Sequence, residues 1–305
     1  MRIAFLGLGH MGGPMAANLL AAGHEVSGFD PVPAAAERAG AGGVAVAATT
    51  AAAAAGADVV VTLLPSGRHL LDCYDDVLLA APAPGALLID CSTIDVVSSR
   101  AAHERAAAAG LATVDAPVSG GVVGAEKATL TFMCGGAEAA VGRAEPLLSA
   151  MGSRVVHCGD PGAGQAAKIC NKMVAAISTI AIGEAFVLGE RLGLTHEVLY
   201  SVMSTASAQC WSLTTNSPVE VEDGPDSPAR RDFRPGFASE LMLKDLGLAA
   251  DAAAGEAATE LGAHALSHYR RYVEEGGAGT DFGGIIRWIR ERDAGAEPTN
   301  LGDPA

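Results

Sequence analysis

Short apolar runs alternate with helix-like segments along the first 160 residues. The apolar runs predict strands at Arg2–Leu6, Glu25–Phe29, Asp58–Leu64, Ala86–Cys91, Ala112–Ala116, Thr129–Cys134 and Arg154–Cys158. Several are continuously apolar, as expected of strands that are covered on both faces. The intervening patterns predict helices at Met11–Ala22, Pro33–Ala39, Arg68–Ala81, Asp95–Ala109 and Ala137–Met151. This alternation predicts βαβ units and a largely parallel sheet.

The second half has a different pattern, with no convincing strand after Cys158. One long helix is predicted from Gly164 to about Gly193, and its uncharged middle (Met173–Gly183) predicts burial on all sides. Further helices are predicted at Thr195–Thr205, Ser239–Ala254, Glu256–Glu275 and Asp281–Arg292. We therefore predict an α/β domain over residues 1–162, a connecting helix over 163–193, an all-α domain over 194–296 and a flexible tail over 297–305.

Composition excludes several classes of partner. Half of the 305 residues are apolar and 18% are charged, so the chain can bury a sizeable core. The formal net charge of −15 argues against binding to nucleic acid or to an anionic membrane surface. The six cysteines form no C-x-x-C pair and the histidines are scattered, so we expect reduced thiols and no metal site. The first strand begins at Arg2, so we expect no targeting segment and a cytoplasmic location.

A glycine-rich turn follows the first predicted strand directly. It has the pattern G-x-G-x-x-G, and the next strand ends at Asp30, eighteen residues after Gly12. This context predicts a dinucleotide site, formed by Gly7, Leu8, Gly9, His10, Met11 and Gly12. Asp30 would bind the ribose 2′-hydroxyl and repel a 2′-phosphate, so the predicted cofactor is NAD rather than NADP. The alternatives are a turn with incidental glycines and a solvated loop aspartate.

Two further loops follow predicted strands at the edge where such sheets bind ligands. In LLPSG, Leu64 and Pro65 would flank the dinucleotide, and in CSTID, Thr93 would lie near the nicotinamide. Each loop could equally be a plain helix entry, because Ser and Thr are common N-caps.

Two other segments suggest substrate chemistry. Ser119, Gly120 and Gly121 follow a predicted strand, and their backbone N–H groups with the Ser119 hydroxyl could form an anion-binding concavity. The alternative is a glycine turn without a ligand. Lys168 lies at the head of the long apolar helix. It is either a surface lysine with its ammonium in water or a catalytic lysine.

Four segments resemble, in order, the motifs of the β-hydroxyacid dehydrogenases. They are GLGHMGGPMAANL, DAPVSGGVVGAEKATLTFMCGG, GAGQAAKICN and LMLKDLGLA, and they extend from Gly7 to Ala249. The resemblance implies an N-terminal Rossmann-type parallel-sheet domain, a long connecting helix and an all-α C-terminal domain, as in the 6-phosphogluconate dehydrogenase group. QCWS, TNSPV and DFGGIIRWIRE further resemble the branch of the family that acts on 3-hydroxyisobutyrate.

The resemblance also implies roles for individual residues. Ser119–Gly121 would bind a substrate carboxylate, and Lys168 would be the catalytic lysine with Asn171 nearby. Lys244 and Asp245 would reach the cofactor, and Trp211 and Phe237 would wall the substrate site. Spacing alone favours a solvated helix face for Lys244 and Asp245, and a core position is usual for a tryptophan such as Trp211. Close relatives often have asparagine at two successive positions here, but the second is Lys172.

The function implied is NAD-dependent oxidation of (S)-3-hydroxyisobutyrate, a small 3-hydroxy acid, to methylmalonate semialdehyde by a homodimer or homotetramer. In this interpretation Lys168 takes the hydroxyl proton. One alternative is a sister enzyme acting on tartronate semialdehyde, succinate semialdehyde or serine. Another is an imine reductase, a class that usually replaces the lysine. The third is a non-catalytic dinucleotide-binding module, which would be expected to lose Lys168 or the Ser119–Gly121 turn.

Overall fold

The computed structural model describes residues 1–295, with side chains described as far as Arg292. The predicted tail over 297–305 lies outside these residues. The chain forms two compact units, the first ending at Cys170 and the second beginning at Asn171. The boundary lies within a helix that extends from Ala163 to Arg191, and the two units are described separately.

The first unit contains a nine-stranded sheet. Its strands are β1 Arg2–Leu6, β2 Glu25–Phe29, β3 Ala45–Val46, β4 Val59–Thr62, β5 Leu87–Asp90, β6 Ala112–Asp115, β7 Val118–Ser119, β8 Leu130–Gly135 and β9 Gly152–Gly159. The order is β3-β2-β1-β4-β5-β6-β8-β7, and β9 pairs with β8. The six strands from β3 to β6 are parallel, whereas β8 is antiparallel to β6 and β7. The prediction of a largely parallel sheet is confirmed, with two short strands, β3 and β7, that the pattern did not show.

Both faces of this sheet are buried, which explains its continuously apolar strands. Along β1, Ile3 and Phe5 pack into one hydrophobic cluster, while Ala4 and Leu6 pack into another on the opposite face. The alternation of side chains along a strand therefore distributes one run of apolar residues between two cores.

Helices cover the two faces of the sheet. They are α1 Gly12–Ala21, α2 Pro33–Ala41, α3 Thr50–Ala54, α4 Gly67–Cys73, α5 Val96–Ala108, α6 Gly121–Glu126 and α7 Glu138–Met151. The helix predicted over Arg68–Ala81 is an α-helix as far as Cys73 and a π-helix over Tyr74–Leu78. The short α6, which directly follows Gly120, was not predicted.

The second unit is helical. After α8 (Ala163–Arg191) come α9 His196–Met203, α10 Trp211–Thr214, α11 Ser239–Ala253, α12 Glu260–Tyr272 and α13 Ile285–Gly295, with 3₁₀ turns at Pro228–Arg231 and Phe282–Gly284 and a π-turn at Val273–Gly277. Between residues 171 and 295 there is no strand, only an isolated bridge between Ala238 and Asp281. The all-α prediction for this region is confirmed.

The prediction that α8 is buried on all sides is wrong for the single chain. Val174 and Leu188 are 59% and 60% exposed. Within the uncharged stretch Met173–Gly183, Ala176 and Ile180 are buried while Val174 and Ala181 are exposed, so apolar residues lie on both the core side and the outer side of the helix. By length and composition α8 could also cross a membrane, a test that core helices of soluble proteins pass as well.

Candidate functional site

The glycine-rich turn between β1 and α1 leaves open backbone where a cofactor pyrophosphate would approach. Gly7 has φ 98°, and a Cβ there would lie 2.1 Å from the Leu63 carbonyl oxygen. A Cβ on Gly12 would lie 1.8 Å from the Gly7 carbonyl oxygen. A Cβ on Gly9 would meet no heavy atom within 4 Å. Two glycines are therefore needed by the fold, and Gly9 borders free space at a helix N-terminus, as a dinucleotide requires.

Asp30 holds this turn in place. Its Oδ2 accepts a hydrogen bond from the Leu8 N–H at 2.7 Å, and its Oδ1 accepts one from the Val32 N–H at 2.8 Å. The solvated-loop alternative is therefore wrong. Each carboxylate oxygen keeps a further acceptor site, so Asp30 can still bind a ribose hydroxyl. The Leu8 side chain lies in the core, so Leu8 can offer a cofactor only its backbone, whereas His10 is exposed and Met11 half-buried.

Buried hydrogen bonds join the loops that follow β4 and β5. Thr62 and Ser92 donate their hydroxyls to Asp90 Oδ1, at 2.8 and 2.6 Å, and the Leu64 N–H donates to Ser92 Oγ at 2.7 Å. Burial raises the pKa of Asp90 to about 6, against these hydrogen bonds, which lower it. The backbone at Leu64 is thereby fixed.

Pro65 and Thr93 are the other residues of these two loops that were predicted to contact the cofactor. Pro65 is exposed and Thr93 half-buried. The N-cap of α5 is Asp95, whose Oδ1 accepts from the Ser98 N–H at 2.6 Å. Thr93 is therefore not needed as a cap, and its cofactor role stays a prediction.

Lys168 lies inside the first unit and not in water. The side chain is 4% exposed, and its Nζ donates to the Val118 carbonyl oxygen at 2.5 Å. Val118 precedes the Ser119–Gly121 turn, in which Gly120 has φ 139° and Gly121 has φ 64°. The surface-lysine alternative is wrong. The ammonium lies beside the turn that was predicted to bind a carboxylate.

A buried carboxylate fixes the start of the helix that bears Lys168. Asp115 Oδ1 and Oδ2 accept from the N–H groups of Gly162 and Gln165, at 2.9 and 3.0 Å. His103 Nε2 lies 2.9 Å from Asp115 Oδ1. A carboxylate that accepts backbone N–H groups at a helix N-terminus stabilises that end of the helix.

In the second unit, a second lysine of α8 lies against aromatic rings. Lys172 Nζ lies 3.4 Å from the centroid of the Phe237 ring. Phe282 packs edge to face on Phe237 and stacks with Trp211 at a centroid distance of 6.4 Å. Trp211 is 53% exposed, so the expectation of a core tryptophan is wrong.

Charged groups near Lys172 oppose the effect of its burial. Burial lowers the pKa of Lys172, while the charges of Asp245 and Asp281 raise it. Asp245 is 3% exposed, so the solvated-face expectation is wrong for this residue, and Lys244 is half-buried. Asn171 is exposed on the same helix. The cofactor roles of Lys244 and Asp245 and the role of Asn171 stay predictions.

Three residues of the sites were not singled out from the sequence. Asp115 and Gln165 lie within the motifs DAPVSGG and GAGQAAK, and Phe282 lies within DFGG. Their motifs were recognised, but only the folded chain shows which backbone groups or rings they contact. Within residues 1–292, no group of three His, Cys, Asp or Glu side chains could hold a metal ion.

The fold and the glycine-rich site define an NAD-binding oxidoreductase of the Rossmann type. A family model described as the NAD binding domain of 6-phosphogluconate dehydrogenase matches residues 2–159. A second, described as NAD-binding of NADP-dependent 3-hydroxyisobutyrate dehydrogenase, matches residues 162–289. The chain belongs to the β-hydroxyacid dehydrogenase family of NAD-dependent hydroxyacid dehydrogenases.

The individual relatives are named for two different substrates, 3-hydroxyisobutyrate and L-serine. A solved structure of Mycobacterium tuberculosis 3-hydroxyisobutyrate dehydrogenase with L-serine has a TM-score of 0.90 and 52% identity, covering 94% of this chain and 98% of the other. The NAD-dependent L-serine dehydrogenase of Pseudomonas aeruginosa is 46% identical over 92% of this chain and 95% of its own. The 3-hydroxyisobutyrate dehydrogenase of the same organism is 45% identical over 95% and 99%.

Proposed function

We propose that this protein oxidises (S)-3-hydroxyisobutyrate to methylmalonate semialdehyde. The observation on which the mechanism rests is the buried Lys168 ammonium, 2.5 Å from the Val118 carbonyl oxygen and beside the Ser119–Gly121 turn. The relatives named for this substrate support the choice of hydroxy acid.

Each group in the first unit has one task in this proposal. The N–H groups and hydroxyl of Ser119–Gly121 bind the substrate carboxylate, which fixes the hydroxymethyl end. Neutral Lys168 accepts the hydroxyl proton, and in the reverse direction its ammonium returns the proton. The Gly7–Gly12 turn and Asp30 would hold NAD, which would supply the hydride acceptor for the hydroxymethyl carbon. The alcohol thus loses one proton and one hydride and becomes the aldehyde.

L-Serine is the second candidate, because one relative is an L-serine dehydrogenase and another was solved with L-serine. Serine has an ammonium where 3-hydroxyisobutyrate has a methyl group. The resemblance assigns Trp211 and Phe237 to the wall of the substrate site. Their rings are apolar, and an apolar wall suits a methyl group better than an ammonium that needs hydrogen-bond partners.

A substrate panel tests this choice. We expect kcat/KM with NAD for (S)-3-hydroxyisobutyrate to exceed that for L-serine and D-glycerate by roughly 10- to 200-fold, the range for one methyl-sized difference in a pocket. A wild-type preference for serine or glycerate would place the enzyme with a sister activity.

We also propose that NAD is preferred over NADP. A 2′-phosphate would bring negative charge to the Asp30 carboxylate. Because Asp30 also holds the turn through Leu8 and Val32, Asp30→Ala would disturb the loop as well as the preference. The cleaner measurement is kcat/KM for both cofactors in the wild type and in Asp30→Asn, which removes the charge. Equal efficiency with the two cofactors in the wild type would refute the role of Asp30.

We propose that the protein is a homodimer or homotetramer. In the second unit, Val174, Ala181 and Leu188 are exposed at seven-residue intervals on α8, and Val198 and Val202 are exposed on α9. Apolar stripes of this kind are normally covered. Light scattering measures the molar mass of each variant in solution. Leu188→Glu should lower this mass, whereas the control Val97→Glu, at an exposed position of the first unit, should leave it unchanged. A fully active monomeric wild type would contradict the proposal.

A further inference from the structure

We propose that Gln165 is a positioning residue that couples the two loops predicted to flank the cofactor to the catalytic lysine. The residue touches neither substrate nor cofactor in this proposal. It acts by fixing the rotation and axial position of the first turn of α8, and so the place of Lys168. The inference deepens the proposed function and rests on the role assigned there to Lys168.

The Gln165 side chain is buried, and both its oxygen and its nitrogen are hydrogen-bonded to one loop. It is 0% exposed. Its Oε1 accepts from the Ile94 N–H at 3.1 Å, and its Nε2 donates to the Ser92 carbonyl oxygen at 2.8 Å. One carboxamide thus spans the loop after β5 on both sides of Thr93, the residue predicted to lie near the nicotinamide. A two-point attachment fixes an orientation, which a single hydrogen bond does not.

The same loop is attached to the other predicted cofactor loop. Ser92 Oγ accepts from the Leu64 N–H at 2.7 Å and donates to Asp90 Oδ1 at 2.6 Å. The path from Leu64 through Ser92 to Gln165 consists only of buried or part-buried hydrogen bonds. Such a path is stiff, because breaking any of its bonds leaves a buried polar group unsatisfied.

The backbone of Gln165 is attached independently. Its N–H donates to Asp115 Oδ2 at 3.0 Å. Lys168 follows three residues later, which places it on the same side of the helix as Gln165. Rotation or sliding of this turn would therefore displace Lys168 relative to both loops. A displacement of about 1 Å in a reacting group can cost about 100-fold in rate.

The alternative is that Gln165 only satisfies buried backbone groups and so stabilises the fold. Both roles predict a loss of stability when Gln165 is replaced. Only the positioning role predicts that hydride transfer slows in enzyme that is folded and saturated with NAD. The test therefore needs a control that loses a buried hydrogen bond elsewhere in the same unit.

The experiment compares Gln165→Met and Gln165→Glu with Tyr74→Phe. Methionine fills a similar volume without hydrogen bonds, and a glutamate carboxylate loses the donor to Ser92. Tyr74→Phe removes the buried hydrogen bond to Thr113, which measures 3.0 Å, and has no part in the proposed path. The measurements are kcat per folded enzyme, the Kd for NAD, and the deuterium isotope effect on kcat with substrate deuterated at the hydroxymethyl carbon.

We expect both Gln165 variants to lose at least about 10-fold in kcat, with the Kd for NAD within about 3-fold of wild type and a larger isotope effect. Tyr74→Phe should keep its kcat and isotope effect. A kcat within about 2-fold of wild type in the folded Gln165 variants overturns the proposal. If they do not fold, Ser92→Ala cuts the same path at the Leu64 N–H: a lower kcat with a larger isotope effect supports the proposal, and an unchanged kcat overturns it.

Lys168→Ala separates this proposal from the one on which it rests. If Lys168→Ala loses activity while the Gln165 variants keep it, only the positioning role fails. If Lys168→Ala keeps near-normal kcat, the proposed mechanism fails first.

Discussion

Lys168 and Lys172 lie one turn apart on the same helix, yet the fold gives them different neighbours. Lys168, in the first unit, donates to the Val118 carbonyl oxygen. Lys172, in the second unit, lies over the Phe237 ring. A carbonyl oxygen is an acceptor that stabilises and orients an ammonium, whereas a ring face attracts a cation without fixing a hydrogen-bond direction.

The comparison shows that burial alone does not identify a catalytic lysine. Lys168 is held beside a glycine turn suited to an anion, in the same unit as the glycine-rich cofactor turn. Lys172 lies near the rings of Phe237 and Phe282, and the charges of Asp245 and Asp281 oppose the loss of its proton. Chemistry is expected at Lys168, and an effect on stability at Lys172.

The largest expected effect is at Lys168. Lys168→Ala should lower kcat by at least about 100-fold, because a lost acid–base group costs roughly that much or more. Lys168→Arg should fail as well, since a guanidinium does not deprotonate in the working pH range. Cofactor binding should change little in either variant. Steady-state kinetics with an NAD titration measure both quantities.

Lys127→Ala, at an exposed position, is the matched control and should keep wild-type kcat. In the wild type, oxidation should accelerate toward alkaline pH and reduction toward lower pH, because the two directions need opposite protonation states of Lys168. Near-normal kcat in Lys168→Ala would remove the distinction between the two lysines.

A smaller effect is expected at Asp90, a buried acid of the first unit. Burial raises its pKa to about 6, so the folded state favours the protonated form. The stability that this preference contributes is complete below the unfolded pKa of about 4 and is lost as the pH rises through about 6. Asn at position 90 does not titrate. The free energy of unfolding of Asp90→Asn, measured relative to wild type, should therefore be roughly 1–3 kcal/mol higher at pH 8 than at pH 4.5.

Urea unfolding at the two pH values measures this difference. Asp76→Asn, at an exposed acid, should show no comparable change between them. If the Asp90→Asn difference in stability were independent of pH, Asp90 would be ionised at both pH values. The conclusion that burial raises the pKa of Asp90 would then be wrong.

The smallest effect is expected at Lys172. Burial lowers the pKa of Lys172 in the folded state from the ordinary lysine value of 10.5. At pH values below 10.5, protonation of Lys172 therefore favours the unfolded chain over the folded one. Lys172→Met should therefore be more stable than wild type at pH 7, and the gain should shrink as the pH approaches that value. Asp245 and Asp281 lose a nearby cation in the variant, which limits the gain.

Thermal unfolding at pH 7 and pH 10 follows the trend, with Lys127→Met as the exposed control. A variant less stable than wild type at pH 7 would mean that the ring and the two carboxylates outweigh burial. Lys172 would then be a stabilising cation.

Much of the first unit could be predicted from local sequence. The bounds of β1 and β2 match the predicted strands exactly, because continuous apolar runs between turn residues have few other stable arrangements. The roles of Gly7 and Gly12 were predictable too, since their positions between strand and helix leave no room for a Cβ. The two-residue strands β3 and β7 were not, because pairing with a neighbouring strand defines them and their composition does not.

The second unit was predicted less well at the level of single residues. The pattern predicted full burial for α8, but one side of this helix is exposed. It also predicted exposure for Asp245 and a core position for Trp211, and the fold shows the reverse for both. A uniformly apolar or mixed helix face does not reveal which neighbour covers it. That depends on how distant helices pack.

The sequence by itself determined the class of the protein, since motif order, strand–helix alternation and the glycine spacing depend on near neighbours along the chain. Only the tertiary structure decided what each buried polar group contacts. Gln165 meets Ser92 and Ile94 more than 70 residues away, and Lys168 meets Val118 at a separation of 50. Hydrogen bonds need partners within about 3 Å, and at such separations only the packing of sheet and helices brings the partners together.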